Sequence, residues 1–198
     1  MGLFGTAPLA PYRNVHFGTE KTSENRFCDN RVRTALYVRG WRQLHARVPD
    51  TFTRRHLSCY LSGLAVLWIA VASPLDSMGS LLLSAHMAQH LLMMMVAPPL
   101  ILLGAPGVPL LMGLPETIRR TWLAPFIAWA PCRSFFRHMV HPMVGWSLFL
   151  IATIAWHVPT LYEIGLRQPG WHLIEHLTFI ITAVLFWWPV VQPYPTRA

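Results

Sequence analysis

Two pairs of histidines, each pair spaced four apart, stand inside apolar stretches of the chain: His86-Met-Ala-Gln-His90 and His172-Leu-Ile-Glu-His176. A fifth, His157, closes a third apolar stretch directly after Trp156. Imidazoles four residues apart share one helix face, about 6 Å apart along the axis, near enough to hold one metal ion between them. At ~100° per residue Met93 continues the stripe of His86 and His90 one turn on, while Glu175 flanks the face of His172 and His176. Imidazole with thioether is a soft-to-borderline donor set that suits copper better than a hard cation. Gln89, Glu175 and Asp76 are polar neighbours able to orient imidazoles or move protons. The candidate metal ligands are therefore His86, His90, His157, His172 and His176, with Met93 in support.

Composition constrains what must position them. The 198 residues are 54% hydrophobic and 12% charged, roughly half the charge of an ordinary soluble domain. Four apolar runs, about 57–73, 81–103, 144–157 and 171–191, approach the ~20 residues that cross a bilayer as a helix. The expected fold class is an all-α polytopic transmembrane helix bundle of about four spans, surrounded by membrane lipid. Arginines crowd the segment before the first run, up to Arg54 and Arg55, and return as Arg119, Arg120, Arg133 and Arg137 between the second and third. Basic blocks alternating with apolar runs express membrane topology, so no nucleic-acid partner is expected. From Leu114 to His138 the chain mixes Trp, Phe and Leu with arginine, the composition of an interfacial helix at the cytoplasmic face. Trp187 and Trp188 read as an interfacial belt. No cleavable signal peptide is recognisable in Met1 to Ala10, and Cys28, Cys59 and Cys132 form neither a disulfide framework nor a thiolate site.

The positive-inside rule places the basic, polar segment 1–35 and the Arg119–Arg137 loop in the cytoplasm. Spans two and four then begin outside, with a histidine pair near the start of each, and span three ends outside at His157. Five imidazoles are thereby expected at one level, in the outer half of the membrane, where their cost marks them as functional. Neutral imidazole is the ligating form, so metal occupancy is expected to fall as pH drops through the histidine range. Two rival readings use the same residues. His172-Leu-Ile-Glu-His176 matches the inverted zinc-protease pattern, but no acid follows Glu175 to complete such a site. A b-type haem protein for membrane electron transfer could use His90 with His176 as axial ligands to haem b, although no second, deeper histidine layer is present. A structural scaffold, in contrast, would tolerate loss of all five histidines.

Several stretches, taken in order, resemble one known family. They are Leu36-Tyr-Val-Arg-Gly-Trp41, Ala72-Ser-Pro-Leu-Asp76, Ser84-Ala-His-Met-Ala-Gln-His-Leu-Leu92, Ala97-Pro-Pro-Leu100, Leu103-Gly-Ala-Pro106, Trp156-His-Val-Pro-Thr-Leu-Tyr162, and Glu175-His-Leu-Thr-Phe179 through Phe186-Trp-Trp-Pro189. The sequence is similar in these to the CtaG-type (Caa3_CtaG) cytochrome c oxidase assembly factors. The resemblance covers a membrane domain of about 36–192, followed by a short tail, 193–198. It implies a multi-pass protein of the bacterial plasma (inner) membrane, not an enzyme, that works with cytochrome c oxidase subunits to form an active caa3-type oxidase and takes part in its copper supply. The family motifs fall on His86, His90, His157, His172 and His176, with Asp76 and Glu175 nearby. The family usually has a span before Leu36 and further spans after Pro189, so a truncated or split gene is expected here.

Overall fold

Three prolines in the second half of the chain sit where a helix begins. Pro142, Pro159 and Pro169 each open a helix, because a first-turn residue needs no N–H and proline's φ is already helical. The computed structural model describes residues 19–72 and 82–193, and among these there is no strand. Helix α1 spans Thr19–Arg47 and α2 Arg54–Ala72. Helix α3 covers Leu83–Leu103, α4 Gly107–Gly113 and α5 residues 116–128. Then follow α6 Ala130–Met139, α7 Pro142–Trp156, α8 Pro159–Arg167 and α9 Pro169–Val191.

Helix α3 lies between α2 and α9; α9 is also covered by α7 and α8, and α1 packs along α4. The exposed and buried faces of α3 and α9 are inverted relative to a soluble helix. On α9, Leu173, Ile174, Leu177 and Ile181 are exposed while Glu175, His176 and Thr182 are buried. On α3, Leu83, Leu91 and Val96 are exposed while His86, Gln89 and His90 are buried. An apolar exterior around a polar interior is the arrangement a hydrocarbon solvent selects.

Among the described residues the regular structure is all helical, with two or three candidate membrane spans. Leu83–Leu103 and Gly170–Val191 are each long and apolar enough to cross, and α6 with α7 adds a third only as one span bent by 64°. Four spans are expected from the sequence; α2, where the first is expected, is not among these. Its first turn carries Arg54, Arg55 and His56, which leaves a short apolar remainder. Residues 19–35 of the basic segment belong to α1, and most of the connection between the third and fourth expected spans is α8. The expected interfacial segment, Leu114 to His138, falls largely on α5 and α6, with Trp122, Trp129, Phe135 and Phe136 exposed.

The end of the bundle opposite the histidine pairs is closed by aromatic side chains. The Tyr37 hydroxyl donates to the Gly104 carbonyl at 2.7 Å, and its ring stacks on Tyr60 with centroids 3.7 Å apart. Burial, reinforced by Tyr60, pushes the Tyr37 phenol above its ordinary pKa, so it stays a donor. Trp41, Phe52, Leu64 and Ala105 complete this cluster. Helices α1 and α4 meet through reciprocal glycines: Gly40 lies against the Pro109 carbonyl and Gly113 against the Leu36 carbonyl. Small residues let backbones touch where lipid supplies no hydrophobic drive between helices.

A Cβ at Gly113 would collide with the Leu36 carbonyl oxygen. Gly113→Val is therefore expected to destabilise the protein by roughly 1–3 kcal/mol, the usual cost of overpacking. Gly107→Ala, with no atom within 4 Å of the added carbon, is the control. Thermal unfolding in detergent compares the two.

Candidate metal centre

His86 and His90 are the fourth and eighth residues of α3, and His172 and His176 are the fourth and eighth of α9. Equal placement brings the two pairs opposite each other when the helices lie side by side. The four imidazoles then form a closed rectangle. Within each helix the ring centroids are 4.2 Å apart for His86–His90 and 4.1 Å for His172–His176. Across the helices they are 5.7 Å for His86–His172 and 5.5 Å for His90–His176.

Ligand nitrogens of His86, His90 and His172 all lie within 4.8 Å of one another. Nitrogens about 2.0 Å from a tetrahedral metal stand roughly 3.3 Å apart, so modest side-chain rotation closes the set on an ion. His90 Nε2 is buried, makes no hydrogen bond and has the Glu175 carboxylate 3.7 Å away. A buried nitrogen in that state is costly unless it meets a proton donor or a cation. The donor set therefore fits a borderline or soft metal ion, and the Glu175 carboxyl lies beside it.

The walls come from four elements. Phe179, fully buried, meets the His90 ring edge-on at 4.8 Å from the deeper side. Tyr162 of α8 faces His86 at 6.0 Å. Gly165 of α8 makes room for the acid, since a Cβ there would lie 2.9 Å from Glu175 Oε2. Trp156, at the end of α7, packs with Phe179, Met94 and Ala183 beneath.

Below His90 the α3 helix widens into a π turn, Leu92–Val96, where the Ala97 N–H reaches back five residues to the Leu92 carbonyl. The cause is local. Pro98 and Pro99 carry no N–H, so the Met94 carbonyl loses both its α-helical and its π-helical donor. The Trp187 indole N–H of α9 donates to that oxygen at 3.0 Å. Trp187, expected from sequence only as part of an interfacial belt, thus ties the two histidine-bearing helices together.

The sequence-selected residues separate into groups. His86, His90, His172 and His176 form the rectangle, with Gln89 and Glu175 buried beside them. Met93 is fully buried in the π turn. His157 is exposed and stands outside the group whose nitrogens converge. Asp76 lies outside the described residues. Tyr162, Gly165 and Phe179 were not singled out from sequence. The first two carried a usable signal, since Pro159 followed by Leu161, Tyr162 and Gly165 traces one face of a short helix.

Residues 35–198 match the family described as Cytochrome c oxidase caa3 assembly factor (Caa3_CtaG). An uncharacterized protein of Mycobacterium bovis and one of Mycobacterium tuberculosis are each 26% identical over 175 residues, covering 81% of this chain. An uncharacterized protein of Mycobacterium leprae is 25% identical over 169 residues. The chain spans about a quarter of the length of these relatives, 26% of the first two and 25% of the third. No solved structure matches.

Trp187→Phe keeps the aromatic bulk and deletes the donor to the Met94 carbonyl. The expected cost is about 1–3 kcal/mol, that of a buried acceptor left unsatisfied. The same change at Trp188 is the control, read as thermal midpoints of the purified variants.

Proposed function

The chain belongs to the family of cytochrome c oxidase caa3 assembly factors, and from that premise we propose that it carries copper to the oxidase during assembly. Copper is the cargo, held reversibly by His86, His90, His172 and His176 rather than retained as a cofactor. The observation that carries this reading is the convergence of three imidazole nitrogens, two of them on buried residues, within 4.8 Å. Imidazole donors with a nearby thioether, Met93, favour copper over hard cations. Reversibility follows from the small number of strong ligands: among the described residues no cysteine joins the convergent histidines, so no thiolate anchors the ion.

The proposed topology has the N-terminus in the cytoplasm and the imidazole rectangle in the outer half of the plasma membrane, with four crossings. Its support is the arginine distribution together with the position of both histidine pairs at the start of α3 and α9. Oxidase subunits are the proposed recipients, and the role is assembly without catalysis. The haem alternative draws no support from this geometry. His90 and His176 stand edge to face at 5.5 Å, with His86, His172 and Phe179 against them, which leaves no slot for a porphyrin plane between axial ligands.

Metal analysis of detergent-purified protein tests the proposal. The wild type is expected to retain copper after desalting, and His90→Ala and His176→Ala to lose most of it. Equal copper in all three removes the site, and a Soret band in the wild type replaces it with haem. Bound copper is also expected to fall as the pH is lowered, because protons compete for the imidazole lone pairs.

A further inference from the structure

His157 is the sequence-selected imidazole that the fold leaves exposed. It caps the C-terminus of α7, with Nδ1 2.6 Å from the Thr153 carbonyl. A carbonyl oxygen only accepts, so Nδ1 carries the proton and Nε2 keeps its lone pair. Metal-binding histidines are commonly set up in this way, one nitrogen donating to a backbone oxygen and the other turned to the ion.

Its neighbours place His157 at the rim of the rectangle. Trp156, just before it, is buried against Phe179, the residue that also touches His90. Tyr162, five residues on, faces His86. The His157 nitrogens nonetheless do not join the convergent set. Within that set His86 and His90 are buried and His172 is half-buried. A copper ion sheds ligands one at a time, so a closed, buried set calls for an accessible first ligand at its rim, and His172, half-buried, is its most open member.

We infer that His157 is a capture ligand, which binds the incoming copper ion through Nε2 and passes it by ligand exchange to His172 before His86 and His90 close on it. The transfer is balanced without a redox partner: each nitrogen–copper bond forms as another breaks, the oxidation state is unchanged, and Nε2 has no proton to lose. The inference rests on the copper reading proposed above.

Kinetics separate a capture ligand from a member of the storage site. Copper(I) presented as its coloured bicinchoninate complex reports transfer by loss of colour, and metal content after desalting reports equilibrium occupancy. His157→Gln keeps an amide donor for the Thr153 carbonyl and removes the imidazole. It is expected to bind as much copper as wild type and to load it about tenfold or more slowly, within the range over which association rates of related complexes vary. His157→Ala, which gives up that hydrogen bond as well, is expected to show the same slowing. An unchanged loading rate in both variants overturns the inference. So does a fall in copper content matching that of His90→Ala, which would make His157 a storage ligand. Absence of copper from the wild type defeats the parent reading and the capture step together, an outcome distinct from the other two.

Discussion

The site depends on one register: α3 and α9 run in the same direction with their first turns level. Each helix presents imidazoles at its fourth and eighth positions, and a shift of one turn would leave one histidine of each pair facing apolar side chains. What holds the register is polar, not only steric. Two consecutive prolines strip the Met94 carbonyl of its helical donors, and an indole on α9 supplies the missing proton. In a medium without water such an oxygen must find a donor on a neighbouring helix. The defect in one helix thereby becomes the fixing point of the pair.

The same constraint explains the distribution of the other polar groups. Gln89, Glu175 and the imidazoles are gathered on the facing sides of α3 and α9, and the lipid-facing sides are Leu, Ile, Met and Val. Helix α8 completes the enclosure at the level of the histidines, admitting the Glu175 carboxylate at Gly165 and placing Tyr162 beside His86. At the far end, the aromatic cluster around Tyr37 and Tyr60 binds α1 and α2 to the turn after α3. Elsewhere Gly63 of α2 lies against Ala97 and Ile101 of α3, and Gly145 of α7 against the Leu185 carbonyl of α9, which allows close backbone approach.

Much of this was legible in the residues because hydropathy and charge act locally. The apolar runs at 81–103 and 171–191 correspond to α3 and α9, and the four-residue spacing of the histidines fixed their common face on each helix. Tertiary facts were less accessible. That His157 sits apart from the other four follows from where α7 stops and α8 turns away, which no spacing along the chain encodes. The π turn was in principle readable from Pro98-Pro99, but its partner Trp187 lies 93 residues away. Counting spans by hydropathy also treats α2, α6 and α7 alike, although α2 begins with two arginines and α6 meets α7 at 64°.

The rectangle of imidazoles has edges of two kinds. The short edges lie within a helix and are fixed by its pitch, at 4.2 and 4.1 Å. The long edges, 5.7 and 5.5 Å, run between helices and depend on how α9 sits against α3. Sliding or parting the helices by a fraction of a turn therefore leaves each two-nitrogen chelate intact while changing how many nitrogens one ion can touch at once. For the proposed copper site, grip on the ion would be a mechanical quantity, set by helix separation.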